Sequence, residues 1–158
     1  MKKIFFLFLF SLSFNSSFAN NIKCNFEEVY DDGSLQFGKV LFSNGLLRYQ
    51  YEDNQLFTII YNDNYYLVRN DNRKIVNKLE EDKVLDELSF ILSDYPNIKK
   101  SYNNNDIEIN LEKNLDDIFI KRISIKSEKA NLSIYLLECE FKPIPAIYFH
   151  PFSFVELK

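Results

Sequence analysis

Few residues of this 158-residue chain are suited to catalysis. The single histidine, His150, lies between Phe149 and Pro151 near the C-terminal end, and no cysteine or carboxylate cluster stands beside it at metal-ligand spacing. A lone histidine in such a setting is more typical of a structural residue than of a general base or a metal ligand. The sequence therefore predicts neither a metal site nor a histidine-based catalytic centre.

Paired acidic residues are a second set that could do chemistry, because two carboxylates can divide the roles of general acid and general base. The runs are Glu27-Glu28, Asp31-Asp32 and Glu80-Glu81-Asp82. Each stands at a turn or strand end, which favours solvated surface over a catalytic pair. Only three glycines occur, which excludes a P-loop and a dinucleotide fingerprint, and there is no G-x-S-x-G motif. We expect no enzymatic activity and no cofactor.

Arg48 is the charged residue with the most unusual neighbours. It stands in the segment LLRYQY, among Leu46, Leu47, Tyr49 and Tyr51. One interpretation is an arginine on the polar face of a half-buried strand, with its stem lying along apolar surface. The other is a polar anchor at the rim of a concave apolar surface.

The two cysteines of the chain, Cys24 and Cys139, are candidates for a disulfide. In an exported protein such a bond would join the first strand to a late one and close a loop of about 115 residues. The alternative is a pair of buried free thiols that act as small hydrophobic groups.

The N-terminal residues have the layout of a secretory signal peptide. Lys2 and Lys3 precede an apolar run that begins at Ile4, and Ser17 and Ala19 put small residues at −3 and −1 of a cut before Asn20. We predict a signal peptide over 1–19 and a single domain over 20–158; an uncleaved N-terminal anchor is the alternative. Without Lys2 and Lys3, the 19 basic residues become 17 against 23 acidic ones, a net charge of −6. This balance argues against a nucleic-acid partner.

Most of the remaining chain has the pattern of β-strands separated by Asn-, Asp- and Gly-rich turns. The predicted strands are Lys23–Tyr30, Leu35–Phe42, Leu46–Tyr51, Gln55–Tyr61, Tyr65–Arg69, Lys74–Lys78, Asp106–Glu112, Ile118–Lys126 and Asn131–Phe141. An apolar stripe predicts one amphipathic helix over Asp82–Tyr95. Short turns require antiparallel pairing. We therefore expect a mainly β fold: a single curved antiparallel sheet, or incomplete half β-barrel, with one helix packed against it.

Several strands are apolar on both faces, notably the hairpin LFTIIYNDNYYLVRND over Leu56–Asp71 and the strand Asn131–Phe141. A strand of this kind must be covered on both sides. A single helix of 14 residues is too small to cover the whole sheet. Part of one apolar face should therefore line a concavity.

From Cys24 to Lys78 the chain resembles the periplasmic carriers of outer-membrane lipoproteins, the LolA family. The resemblance rests on LFSNGLLRYQY, FTIIYNDN, YYLVRND and RKIVNK, followed by the predicted helix. It covers about a third of the mature chain, and its motifs are loose. The family's N-terminal lid helix has no counterpart, because only Asn20–Lys23 precede the first strand, and the family's Arg-Pro pair falls on Ser43-Asn44.

The resemblance implies a monomeric periplasmic carrier that holds the acyl chains of a lipoprotein in an apolar groove. The predicted export by cleavage after Ala19 agrees with such a location. It implies an inner-membrane ATP-driven exporter as donor and an outer-membrane receptor as acceptor. The register of the match, continued to the next strands and the helix, gives these groove candidates: Leu41, Leu47, Tyr49, Tyr51, Phe57, Ile59, Tyr66, Val68, Leu88 and Leu92. The alternative for each is ordinary core.

A competing hypothesis is a non-enzymatic periplasmic β module that binds another hydrophobic ligand or a partner protein. Such a module would dock a peptide by adding a strand to an open edge of the sheet. A remnant enzyme is a third reading. A continuous apolar trough favours the carrier, and an exposed long edge strand favours the docking module.

Overall fold

The structure is a computed structural model that describes residues 21–79, 87–88, 90–91, 94, 98–104, 106–114, 119–128 and 131–153. These residues contain ten strands: β1 (Ile22–Tyr30), β2 (Leu35–Ser43), β3 (Leu46–Tyr51), β4 (Phe57–Asn62), β5 (Asn64–Arg69), β6 (Ile75–Leu79), β7 (Ser101–Asn103), β8 (Ile107–Lys113), β9 (Ile120–Ser127) and β10 (Asn131–Phe141). The predicted signal peptide, 1–19, lies outside the described residues.

All ten strands form one antiparallel sheet in the order β6-β5-β4-β3-β2-β1-β10-β9-β8-β7. The first and last long strands pair near its centre, and β6 and β7 are its two edge strands among the described residues. The prediction of a mainly β chain with a single antiparallel sheet is confirmed. The tight turns have the expected chemistry, since Asn44, Gly45 and Asp63 all adopt positive φ angles.

The predicted helix Asp82–Tyr95 lies mostly outside the described residues. Glu87, Leu88, Phe90 and Ile91 are described in helical conformation, and the side chain of Ile91 is fully buried. Within the described ranges no complete α-helix is present, so the structure does not show the predicted amphipathic helix as an element. The only helical element bounded at both ends there is the 3-10 helix Ala146–Phe149, and no helix in these ranges is long and apolar enough to cross a membrane.

Strand pairing assigns the side chains to two faces of the sheet. The inner face carries Cys24, Val40, Tyr49, Ile59 and Ile134, which the register connects from strand to strand. Its buried side chains form the main core, which continues through β9 and β8. The outer face carries Leu41, Arg48 and Ile60 in one row of cross-strand partners. There the 3-10 helix packs on β3 and β4 and contributes the fully buried Phe149.

A bulge in β10 brings the two cysteines together. Lys23 is opposite Glu140, whereas Asn25 is opposite Leu137, so β10 has one extra residue at this point. Glu138 takes a φ of 50° there. The extra residue turns Cys139 toward the inner face, where it forms a disulfide with Cys24. Of the two alternatives left open for the cysteines, the disulfide is the one present, although simple alternation along β10 would have pointed Cys139 to the opposite face.

Gly38 on β2 permits close packing against the neighbouring strands. A Cβ atom at this position would overlap the backbone oxygen of Gln50 and the ring of Phe26, the residue opposite Gly38 on β1. The same ring stacks on Tyr49 with centroids 4.0 Å apart, which limits its movement.

We expect Gly38→Ala to lower the free energy of unfolding by about 1–3 kcal/mol, because the added methyl must displace backbone or a stacked ring. Urea denaturation followed by circular dichroism measures this loss. Gly38 is not among the glycines with a positive φ, so the loss reports the overlap and not backbone strain. An unchanged free energy of unfolding would show that β2 moves away without cost.

Candidate functional site

The most distinctive feature of the inner face is an apolar cavity of about 120 Å³. Its lining comes from β1, β2, β3, β4, β9 and β10, and includes Val40, Leu47, Ile59, Ile123 and Leu136. Four strand spacings separate β3 from β9, which is about 19 Å in a flat sheet. Side chains from both therefore share one cavity only because the sheet bends around it.

Leu88 also lines the apolar cavity. Among the described lining residues, only Leu88 and Phe119, which directly precedes β9, lie outside the strands. The disulfide-bonded Cys24 and Cys139 form part of the wall. A cavity of similar size with only aliphatic and aromatic walls stays dry and binds small apolar molecules. The site is therefore suited to an apolar group and offers nothing to hold a metal; the described residues contain no cluster of potential metal ligands.

Five of the predicted groove residues meet at the apolar cavity. They are Leu47, Tyr49, Tyr51, Ile59 and Leu88. Phe57 has the same parity as Ile59 on β4 and lies beside it at a neighbouring hollow that also contacts Leu67. Leu92 lies outside the described residues.

Three predicted groove residues are on the outer face, so their assignment to the inner face was wrong. Leu41 is opposite Arg48, Tyr66 is opposite Ile60, and Val68 is opposite Thr58. Leu41 and Val68 are buried there. The error on β5 arose because the register across the turn at Asp63 pairs Ile59 with Leu67 rather than with Tyr66 or Val68. A one-residue difference in register reverses the face of every side chain on a strand.

Arg48 does not lie at the rim of the apolar cavity. It points to the outer face, is only 6% exposed and donates to the backbone oxygen of Tyr148 at 2.9 Å. The alternative interpretation, an arginine on the polar face of a half-buried strand, agrees with its position beside Gln50, although the side chain is buried. The C-terminal segment around the 3-10 helix covers this arginine, and no property of β3 alone predicts that cover.

A buried carboxylate lies beside the apolar cavity, where sequence reasoning expected solvated surface. Glu28 is 4% exposed, and its oxygens accept hydrogen bonds from three tyrosine hydroxyls. Tyr30 and Tyr49 each donate at 2.6 Å, and Tyr51 donates at 3.0 Å to one oxygen and 3.2 Å to the other. We call these four residues the tyrosine–glutamate cluster.

The cluster holds its tyrosines in the neutral, donating form. Burial raises the pKa of Tyr30 to about 12, and the hydrogen bond to Glu28 adds to this effect. Burial also raises the pKa of Tyr49 and Tyr51 above the usual value, with the negative charge of Glu28 as the second cause. Because Tyr49 and Tyr51 also line the apolar cavity, the cluster fixes one wall of that cavity through its hydroxyl groups.

The alternation of side chains along β1 is the signal that could have identified Glu28 as a buried residue. Cys24, Phe26, Glu28 and Tyr30 alternate along β1 and point to one face, and the first two of these are almost fully buried. The adjacent Glu27 faces the other way and is opposite Phe37 and Tyr135 on the outer face. Sequence reasoning treated Glu27-Glu28 as one charged pair, although neighbouring strand residues belong to different faces.

Comparison with known proteins finds no family model that matches this sequence and no curated protein with significant similarity to it.

Proposed function

We propose that this protein is a periplasmic carrier that binds acyl chains in its apolar cavity, in the manner of the LolA-like lipoprotein carriers. The observation that carries the proposal is the apolar cavity itself, which is walled by aliphatic and aromatic side chains from six strands. Each methylene removed from water into such a wall is worth about 0.8 kcal/mol. In the proposed function the bent sheet acts as a half-barrel around the acyl chain.

Two further observations support the proposal. The Cys24–Cys139 disulfide is compatible with an oxidising compartment such as the periplasm. At about 120 Å³ the cavity is smaller than a typical ligand pocket, and it suits the end of a single acyl chain. We expect a longer chain to enter by displacing the side chain of Leu88, which is not part of the sheet. The cargo, the exporter and the receptor remain those implied by the resemblance.

The open edges of the sheet give less support to a peptide-docking module. The edge strand β7 has three residues and β6 has five. Short edge strands are poor templates for the addition of another strand. Strand addition therefore remains the alternative that the binding experiment must exclude.

We expect residues 20–158 to bind a fluorescent fatty acid, and Leu136→Trp to weaken this binding at least tenfold, on the order of the loss of two buried methylenes. Leu136 lines the apolar cavity, so the indole ring fills the space that the chain would occupy. The measurement is displacement of the fluorescent probe by unlabelled fatty acid. Native mass spectrometry of the purified protein reports any lipid that co-purifies.

Leu137→Trp is the matched control, because its side chain points to the outer face and is 44% exposed. It should leave the affinity for the probe unchanged. The carrier proposal fails if no probe binds and no lipid co-purifies. It also fails if the two tryptophan variants weaken binding equally.

A further inference from the structure

A second cavity, on the outer face, has the opposite chemical character. It measures about 320 Å³ and lies between β2–β5 and the C-terminal residues Pro151 and Ser153. Its walls are mostly polar, with Lys39, Gln50 and Asn70 among the lining residues. We call it the cationic pocket. The sheet separates it from the apolar cavity, so the proposed carrier function does not explain it.

Positive charge predominates among the side chains that line the cationic pocket. Four of them are basic, namely Lys39, Arg48, Arg69 and Arg73, and one, Glu52, is acidic. Arg69 is neutralised in part by Asp71, with the two charged groups 2.6 Å apart. Among the described lining residues, basic side chains therefore outnumber acidic ones by four to one. Such an excess in a concave site attracts anions.

Arg48 is the deepest of these cations and has neutral partners. Its Nε and Nη2 donate to Gln50 Oε1 at 3.0 and 2.8 Å, and its Nη1 donates to the carbonyl oxygen of Tyr148 at 2.9 Å. These bonds use three of the five N–H groups of the guanidinium. Burial lowers its pKa to about 10, and the charge of Arg73 adds to the lowering. A buried cation bound only to neutral groups is stabilised when an anion binds beside it.

A second observation concerns Ser153, which lines the cationic pocket. Its hydroxyl oxygen is buried and has no hydrogen-bond partner, the only such side-chain atom found among the described residues. A buried polar atom without a partner destabilises the fold. Gln50 adds further donors, because its oxygen accepts from Arg48 and its amide nitrogen is left to donate.

We propose that the cationic pocket binds a phosphate group, held by Arg48, Arg73 and Gln50 and by the hydroxyl of Ser153. A phosphate has several oxygens that accept from different donors at once, and guanidinium groups match its geometry. The same chemistry is offered by inorganic phosphate and by the headgroup of an anionic lipid. The site would therefore give the protein a second, polar ligand on the face opposite the apolar cavity.

The first test uses isothermal titration calorimetry on the full mature chain with inorganic phosphate. We expect Arg73→Asn to weaken binding about tenfold, because it removes a charge-assisted hydrogen bond. Asparagine tolerates the positive φ of 56° at this position. Lys126→Gln is the control: it removes the same charge from an exposed site on β9, outside the pocket, and should leave the affinity unchanged.

Ser153→Ala separates a ligand-binding role from a structural one. Without phosphate, the variant should be at least as stable as the wild type, because it removes a buried hydroxyl that has no partner. With phosphate, its affinity should fall about fivefold, so that the ligand raises its melting temperature less. A merely structural serine would not give these opposite effects.

A second arm uses monomeric dihexanoyl phosphatidic acid. If inorganic phosphate binds and Arg73→Asn weakens it, the free anion is sufficient. If only the lipid binds, and Arg73→Asn and Ser153→Ala weaken it, the headgroup is the ligand. The proposal is overturned if neither binds, or if binding is indifferent to both variants. Leu136→Trp should not affect phosphate binding, so this result is independent of the carrier proposal.

Discussion

Replacement of Cys24 and Cys139 by alanine should lower the free energy of unfolding by about 4–5 kcal/mol. The bond joins residues 115 positions apart, so its loss frees almost the entire domain in the unfolded state. This loss is a large fraction of the stability of a typical domain, about 5–15 kcal/mol in total. We expect the melting temperature to fall by roughly 10–20 °C.

The measurement is thermal and urea denaturation of the oxidised wild type, the reduced wild type and the double variant. Reduction should reproduce most of the effect of the substitution, because both remove the same crosslink. Ser124→Ala with Ser133→Ala is a matched control: these residues also face each other across two strands, but only their hydroxyls approach, at 3.3 Å. A reduced protein within 1 kcal/mol of the oxidised one would contradict the prediction.

The position of the disulfide gives its loss a second consequence. It crosslinks β1 to β10 at the centre of the sheet, where the first and last long strands of the chain pair. Both cysteines also line the apolar cavity. Reduction should therefore weaken fatty-acid binding as well as stability, since the two halves of the lining meet at this bond.

The strands were predictable because their limits are set by local chemistry. All nine predicted strands are present with ends within two residues of the prediction, since Asn, Asp and Gly mark the turns between alternating segments. The tenth, β7, was missed because its three residues give no measurable alternation. With only two cysteines a single pairing was possible, but the sequence could not decide between a disulfide and two free thiols, because the bulge that permits the bond left no signal in the sequence.

The cavity-lining residues were less predictable, because they depend on pairing between strands. Leu47, Tyr49 and Ile59 were placed on the correct side, whereas Tyr66 and Val68 were not, since the face of β5 is set by its register with β4. The cover over Arg48 comes from residues about 100 positions later in the chain. Contacts of this kind have no local pattern, so Arg48 could be identified as unusual but not placed.

The hairpin β4–β5 shows the same limit of prediction from sequence. Its two apolar faces indicated two apolar environments, and the structure has both. Ile59 lines the apolar cavity, whereas Ile60 is buried on the face that the 3-10 helix covers. The sequence predicted that both faces of the hairpin are buried, but it could not identify which elements bury each face.

Glu28→Ala should be the most destabilising substitution of a polar side chain, at about 3–5 kcal/mol. It removes the acceptor of three tyrosine hydroxyls in a buried site and leaves a void beneath them. Glu28→Gln keeps one acceptor oxygen and should cost about 1–3 kcal/mol. Glu27→Ala is the matched control, because Glu27 belongs to the outer face.

The same cluster predicts how stability depends on pH. The pKa of each of its tyrosines is raised in the folded protein, to about 12 for Tyr30. A group with a raised folded pKa contributes stability below its unfolded pKa, about 10 for tyrosine, and loses it as the pH rises toward the folded value. We expect the wild type to lose stability steeply above pH 10. Absorbance of tyrosinate should then appear together with unfolding.

Glu28→Gln isolates the contribution of the cluster to this alkaline loss. The carboxylate is one cause of the raised pKa of Tyr30, Tyr49 and Tyr51, and burial, the larger cause, remains in the variant. Its stability should therefore decline less steeply between pH 10 and 12, although it starts from a lower value. Other groups that titrate at alkaline pH are the same in both proteins. The difference between their slopes of unfolding free energy against pH therefore measures the effect of the Glu28 charge. Parallel profiles would show that the hydroxyls donate to Glu28 without responding to its charge.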